Sequence, residues 1–169
     1  MRNSSTSAAA TILTLAIGLV GPAGVVRAAS PEPATFVIEQ DVPVLSSIAV
    51  GPSASPGDLL AFEARITVGD GREGMLRGLL ITVDVPDESG DLLEDRVGQL
   101  VFDLGDGDSL VVAGASVYES EADEMTPGAP QVRAVVGGTG RYIGARGEVE
   151  TIRNPDGTYE HEVTLIDQG

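Results

Sequence analysis

The sequence contains no cysteine, no tryptophan and no lysine, and it has a single histidine, His161. Without cysteine the chain forms neither disulfides nor thiolate metal sites, and it offers no cysteine nucleophile. One histidine without cysteine also argues against a zinc site. A P-loop is excluded because that motif requires a lysine after its last glycine. No G-x-S-x-G motif is present, so we expect His161 to be a hydrogen-bonded strand residue rather than a triad member.

Basic residues are few compared with acidic ones: 10 against 26, for a net charge of −16. Such a charge repels phosphate backbones and anionic lipids, so we expect no nucleic-acid partner and no membrane-surface role. Asp103, Asp106 and Asp108 alternate with glycines and leave calcium binding open, although Asp-Gly pairs are also common in hairpin turns. We therefore predict an acidic protein without a bound metal or cofactor.

The N-terminal segment resembles an export signal. An apolar run from Ala8 to Val20 is too short to cross a bilayer comfortably and is followed by small residues suited to signal peptidase. We predict a signal peptide at residues 1–28, a flexible tether at 29–35 and one domain at 36–167. The mature protein is then secreted and does not contact the membrane; an uncleaved membrane anchor is the alternative.

The remainder of the chain alternates apolar and polar residues with the period of two that is typical of strands. Turn segments rich in glycine, proline and aspartate separate these runs, and no helical stripe of three turns occurs. The pattern predicts an all-β domain of roughly eight antiparallel strands, either a closed barrel or a sandwich. The predicted strands are Phe36–Val42, continued beyond Pro43 by Val44–Val50, then Leu59–Val68, Met75–Val85, Val97–Leu104, Leu110–Tyr118, Gln131–Val136, Glu148–Ile152 and Tyr159–Ile166.

One segment, Val135–Gly147, reads V-V-G-G-T-G-R-Y-I-G-A-R-G and contains five glycines, which predicts a tight strand connection. It is not a dinucleotide-binding fingerprint, because Ile143 stands where that motif has its last glycine. The segment resembles the V-G-G-T-G-x-F-x-x-A-R-G signature of plant dirigent proteins. Gly57–Phe62, G-D-L-L-A-F, resembles the G-D-L-V-P-F run of allene oxide cyclases, which share the same barrel.

The resemblance extends from Phe36 to Ile166 and implies a single calycin-like, eight-stranded antiparallel β-barrel. Bacterial relatives of that barrel include secreted proteins and polyketide cyclases, among them Diels-Alderases. The plant cyclase reaction is not expected here, since Phe36 and Ile38 occupy the places of that family's glutamate and asparagine. The resembling families form oligomers, which implies a homo-oligomer.

The resemblance also implies site residues inside the barrel. Glu63 is then a proton-shuttling catalytic acid, and Arg146 of the A-R-G triplet holds a phenolate, enolate or carboxylate. Phe62, Arg77 and Tyr142 are the expected ligand-binding residues. The alternative role for the charged residues is an ion pair that closes one end of the barrel.

Two hypotheses about the function follow from the sequence. The protein either binds a small hydrophobic molecule and steers its cyclisation, isomerisation or stereoselective coupling without a metal, or it is a non-catalytic secreted barrel that binds a ligand or has a structural role. The first function requires few catalytic side chains, because conformational restriction alone supplies much of such a barrier.

Overall fold

The computed structural model describes residues 34–85, 93–119 and 124–166. The predicted signal peptide and most of the predicted tether lie outside these residues. Nine strands and one 3-10 turn at Gly140–Tyr142 make up the secondary structure of this part. The strands are β1 Ala34–Gln40, β2 Val44–Ile48, β3 Leu59–Val68, β4 Glu73–Asp84, β5 Leu93–Asp103, β6 Ser109–Glu119, β7 Gln131–Thr139, β8 Gly147–Arg153 and β9 Tyr159–Leu165.

Eight of these strands form a closed antiparallel barrel. Sequential neighbours pair from β3 to β9, β9 pairs with β1, and β1 closes the cylinder on β3 with Ile38 opposite Val68. β2 pairs with the first half of β3 and continues the line of β1 beyond Pro43. The predicted all-β barrel is confirmed, including the interruption at Pro43, where proline cannot donate a ladder hydrogen bond.

The side chains that point inward form two adjoining clusters. The larger includes Leu76, Phe102, Leu110 and Val149, all fully buried. The smaller lies near the other end and consists of Leu60, Leu80, Tyr118, Met125 and Tyr159. Phe62 contacts both clusters. Its ring lies where a side chain at position 78 would stand, so Gly78 is required for this packing.

The two ends of the barrel differ in their connections. One end, here called the closed end, carries the turns between β3 and β4, β5 and β6, and β7 and β8. At this end Thr139 Oγ1 donates to Gly107 O at 2.9 Å, and Arg141 N donates to Asp108 Oδ1 at 2.9 Å. Gly140 has a φ of +60°, which favours glycine. The glycine-rich segment is therefore the tight β7–β8 connection that its sequence predicts.

The outer face of β4 is less covered than its sequence suggests. Leu79, Ile81 and Val83 are more than 40% exposed, although both faces of this strand are apolar in sequence. Apolar residues on both faces would suit a strand covered on both sides, but in the single chain the outer face is open. Because Leu76 and Leu80 take the inner face, the outer apolar residues remain open to solvent. No helix among the described residues is long and apolar enough to cross a membrane.

Candidate functional site

The candidate site is a cavity inside the barrel at the end opposite the glycine-rich connection, here called the mouth. Its volume is about 40 Å³, enough for a few water molecules. Most of its wall is apolar. The apolar lining residues are Pro43, Leu45, Leu60, Phe62, Leu76, Leu80, Leu100 and Met125. The polar lining residues are Gln40, Tyr118, Glu124, Arg133, Thr151, Tyr159 and His161.

Arg133, on β7, is the cation of this cavity. The residue is only 4% exposed, and its Nη2 lies 3.4 Å from the Tyr118 hydroxyl oxygen. Its Nε has no hydrogen-bond partner. In the described part of the chain, no carboxylate lies within ion-pair distance of Arg133. A buried guanidinium without a counter-ion is costly, so its presence beside a cavity indicates a functional role.

His161, on β9, lies in the same cavity and is electrically neutral. Its Nε2 donates to Gln40 Oε1 at 2.9 Å, because that oxygen can only accept, and its Nδ1 accepts from the Thr151 hydroxyl at 2.9 Å. Burial, and then the positive charge of Arg133, lowers the pKa of His161 to about 3. The prediction of a hydrogen-bonded strand histidine is confirmed, and the positive charge of the cavity comes from Arg133.

The mouth is covered by Glu124 and Met125. Glu124 Oε2 accepts from Arg153 Nη2 at 2.8 Å, and Glu124 Oε1 accepts from the Tyr159 hydroxyl at 3.1 Å. Burial and the charge of Glu124 raise the pKa of Tyr159, so its phenol stays protonated. Met125, 4% exposed, packs on Leu60 and the other residues of the smaller cluster. These contacts narrow the opening of the cavity.

Among the described residues, no group of three or more histidine, aspartate or glutamate side chains is arranged to hold a metal ion. Two of the aspartates that left calcium binding open face arginines instead. Asp108 pairs with Arg141, and the Arg141 amide holds the pKa of Asp108 below its usual range. Asp103 Oδ2 lies 3.7 Å from Arg77 Nη1.

Neither a protein-family model nor a curated protein sequence matches the chain, but several solved structures do. Pyocyanin demethylase matches with a TM-score of 0.57 and 19% identity, over 79% of this chain and 98% of its own. The Diels-Alderase AbmU from Streptomyces koyangensis matches with a TM-score of 0.60 and 22% identity, over 80% of this chain and 64% of AbmU. A pterocarpan synthase dirigent protein matches with a TM-score of 0.53 and 18% identity, over 94% of this chain and 98% of its own.

The chain has the dirigent-like barrel fold. The resemblance carried by the glycine-rich segment and by Gly57–Phe62 is thereby confirmed for the fold. At these identities the likeness concerns the fold alone.

In this dirigent-like barrel, the residues expected from the resemblance do not come together. Phe62 lines the mouth cavity as expected. Glu63 follows it on β3 and is exposed, because successive residues of a strand point to opposite faces. Arg77 stands opposite Glu63 on β4, also outside, with its side chain 56% exposed. The expectation that Glu63 and Arg77 line the interior is therefore wrong.

The other two residues lie at the closed end, far along the barrel from the mouth cavity. Arg146 is exposed, and its Nη1 donates to the carbonyls of Val136 and Ala145, each at 2.8 Å. Tyr142 stacks on Phe36 with ring centroids 6.1 Å apart and packs on the larger cluster. Neither lines the cavity, so the pocket positions expected for them are wrong; both side chains stabilise the β7–β8 connection.

The sequence contained one signal for Arg133 that the motif comparison missed. Arg133 and Val135 share a strand face, since they are two residues apart, and Val135 belongs to the core. An arginine on the core face of a predicted strand needs a partner or a function. Tyr118, Tyr159 and His161 carry no comparable signal, because each is an ordinary strand residue by pattern.

Proposed function

We propose that this dirigent-like barrel binds a small, largely apolar molecule with one oxyanion group, and holds it in a conformer that undergoes intramolecular ring closure. The observation that carries the proposal is Arg133, a buried cation without a carboxylate partner among the described residues, in an apolar cavity. The structural neighbours named as a Diels-Alderase and a pterocarpan synthase support a ring-forming role.

Ring closure within one molecule suits the chemistry of this cavity. It is an isomerisation, in which new bonds form from the electrons of the guest and no atom is gained or lost, so it requires no oxidant or reductant. Restricting a flexible chain to a reactive conformer lowers the barrier by reducing the entropy lost on reaction. The guanidinium of Arg133, with the Tyr118 hydroxyl beside it, would hold an enolate, carboxylate or polarised carbonyl oxygen.

The guest must displace at least one side chain, because the cavity of about 40 Å³ is smaller than any such molecule. Met125 is the lining residue whose side chain can move most easily. Its flexible thioether chain fills the mouth between Leu60, Leu80 and Tyr159, and methionine readily adopts other rotamers. Its replacement by the guest would preserve the apolar contacts that Met125 now makes.

Binding of an anionic probe tests the proposal directly. Sorbate, a linear dienoate, is compared with sorbyl alcohol, which has the same carbon chain without the charge, by isothermal titration calorimetry. We expect tighter binding of sorbate, and Arg133→Met should weaken it about tenfold while changing sorbyl alcohol by less than about twofold. Arg65→Met, on the outer face, is the matched control. Equal affinities for the two probes would refute the anionic guest.

Catalysis needs a second experiment. Linear polyenes that end in a carboxylic or enolic acid are incubated with the protein, with Arg133→Met and with Arg65→Met, and the cyclised products are resolved by chiral chromatography. The wild-type protein and Arg65→Met should enrich one stereoisomer, whereas Arg133→Met should leave the ratio of the uncatalysed reaction. Identical ratios with and without the wild-type protein would exclude steering of these substrates.

A non-catalytic binding role is the second candidate. It is favoured because two titratable residues of the cavity already use their hydrogen-bonding atoms within the protein: both nitrogens of His161 are hydrogen-bonded, and the Tyr159 hydroxyl donates to Glu124. Native mass spectrometry of protein from its own producing cells distinguishes the two roles. A retained molecule that is recovered unchanged after incubation favours binding, and a molecule converted to a cyclic isomer favours catalysis.

The remaining expectations concern location and assembly. We propose that residues 1–28 are removed on secretion, which amino-terminal sequencing of protein from the culture medium tests. We also propose a homo-oligomer that covers the exposed apolar face of β4 to β6, including Ile81, Val97 and Val117. An Ile81→Glu/Val97→Glu variant should then be monomeric in light scattering, and an unchanged mass would refute this interface.

A further inference from the structure

A second compartment lies beside the mouth cavity and contains a buried carboxylate that the proposed function does not use. This groove has a volume of about 350 Å³ and lies between the 49–58 loop and the barrel wall. Leu60 lines both the groove and the mouth cavity, so the two compartments adjoin. The apolar part of its lining is Ile48, Ala49, Pro52, Ala54, Leu59 and Leu60.

Glu94, on β5, supplies the polar end of the groove and is only 2% exposed. Its Oε1 accepts from Thr82 Oγ1 at 2.8 Å and from Arg96 Nε at 2.9 Å. Its Oε2 is buried and has no hydrogen-bond partner. A buried carboxylate oxygen without a donor is costly, because it has lost water and gained nothing in exchange. One acceptor position of Glu94, a residue that lines the groove, is therefore left without a donor.

Hydrogen bonds within the protein fix the wall of the groove. Asp58 accepts from the amides of Val50 at 2.6 Å and Ser55 at 2.9 Å, which fixes the loop on itself. Two backbone hydrogen bonds, Gly57 N to Thr82 O at 2.8 Å and Thr82 N to Asp58 O at 2.9 Å, then join the loop to β4. Thr82 thus positions both the loop and the carboxylate.

The ion pair between Glu94 and Arg96 indicates which class of ligand suits the groove. Arg96 Nε donates to Glu94 Oε1 at 2.9 Å, so this carboxylate already has a cationic partner, and Oε2 can accept from an uncharged donor. We propose that this groove is a binding site for a small neutral molecule with an apolar body and a hydroxyl or amide N–H group, which donates to Glu94 Oε2. Apart from Leu60, the groove has its own lining residues, and Arg133 is not among them.

Resorcinol is a suitable probe, because it is neutral and flat and carries two hydroxyl donors. 1,3-Dimethoxybenzene has the same ring without a donor, and benzylammonium replaces the neutral donor with a cation. In nitrogen-15 NMR titrations, resorcinol should shift the amides of Ser47, Leu59 and Thr82. We expect 1,3-dimethoxybenzene and benzylammonium to bind at least about fivefold more weakly, as the loss of one charge-assisted hydrogen bond or an extra desolvated cation implies.

Two variants complete the test. Glu94→Gln keeps the shape but turns the open acceptor into a donor, and should weaken resorcinol binding at least about fivefold, whereas Asp95→Asn, on the outer face, and Arg133→Met should leave it unchanged. Ala54→Trp places a large side chain in the lining of the groove and leaves Glu94 and Arg96 in the sequence. It should abolish binding, which keeps the test valid if Glu94→Gln fails to fold. Equal affinity for resorcinol and 1,3-dimethoxybenzene, full binding by Ala54→Trp, or a crystal soak that places only water at Oε2 would overturn the proposal.

Discussion

The closed end and the mouth of this barrel are built from the same strands but satisfy their side chains in different ways. At the closed end, inward residues are hydrocarbon, and the polar groups of the turns pair with one another, as Asp108 does with Arg141. At the mouth, buried Arg133 has no carboxylate partner among the described residues, and Oε2 of buried Glu94 has neither a hydrogen bond nor an ion pair in that part of the chain. The first arrangement maximises stability, whereas the second sacrifices stability for groups that can contact a guest.

The comparison also separates sequence similarity from site chemistry. The glycine-rich signature that resembles dirigent proteins lies at the closed end, where it shapes a turn and positions Tyr142 on Phe36. Buried Arg133 and Glu94 lie at the other end, in strands with no recognisable motif. A shared signature therefore indicated the fold and one of its turns and did not indicate where the barrel would bind a molecule.

The largest expected effect is a difference in stability between core deletions at the two ends. Phe102→Ala, in the fully buried cluster, should lower the free energy of unfolding by about 3–5 kcal/mol, because it leaves a large cavity among rigid neighbours. Met125→Ala, at the mouth, should cost about 2 kcal/mol, since it enlarges an existing cavity. Urea denaturation measures both, and equal costs would remove the distinction between the two ends.

The next effect is a loss of stability in mild acid that arises at the mouth. His161 has a pKa of about 3 in the fold, against an ordinary value of 6.5 in the unfolded chain. Between these values the unfolded chain binds the extra proton, so acidification favours unfolding. Lowering the pH from 7 to 4.5 should cost about 2–3 kcal/mol through this group. His161→Gln should show a flatter dependence in urea denaturation, and an equal slope would contradict this assignment.

Arg133 gives a smaller effect of opposite sign. Arg133→Met removes a buried charge without a carboxylate partner among the described residues, so the free energy of unfolding should rise by about 1–2 kcal/mol. The same substitution should move the pKa of His161 upward, because Arg133 contributes to its depression. Thermal denaturation and histidine NMR measure the two changes. A destabilised Arg133→Met protein would mean that the arginine is a structural residue.

The smallest effect is expected on the outer face. Glu63→Gln should change the free energy of unfolding by less than about 0.5 kcal/mol, because exposed charges contribute little. It should also leave the binding of sorbate unchanged, since Glu63 does not line the mouth cavity. A large loss of sorbate binding in calorimetry would mean that Glu63 belongs to the binding site, and it would contradict the placement of the site at the mouth.

Most of the fold could be predicted from the sequence because strand signals are local. The alternation in β3 and the turn residues between β5 and β6 and between β8 and β9 located strands to within a few residues. These signals could not predict that the sheet closes into a barrel, because the strands of a barrel and of a sandwich show the same pattern. The barrel was predicted from the resemblance to dirigent proteins. The uncovered outer face of β4 could not be predicted, because apolar residues on both faces of a strand do not reveal whether a neighbour covers them.

The site was predicted poorly because its residues come from distant parts of the chain. Gln40, Tyr118, Arg133 and His161 meet only when β1, β6, β7 and β9 close into one cylinder. Glu63 was selected because it follows Phe62, but adjacent residues of a strand cannot share the interior. Only Phe62 was placed in the cavity by both sequence and structure.

The sequence by itself determined the all-β class, the positions of the strands and turns, the acidic charge and the exclusion of disulfide and thiolate chemistry. These properties depend on composition and on neighbours within a few residues. Only the tertiary structure decided which face of each strand became the interior, and therefore that Arg133 and Glu94 are buried while Glu63, Arg77 and Arg146 are exposed. A two-residue period defines two faces, and closure of the sheet alone determines which of them is removed from water.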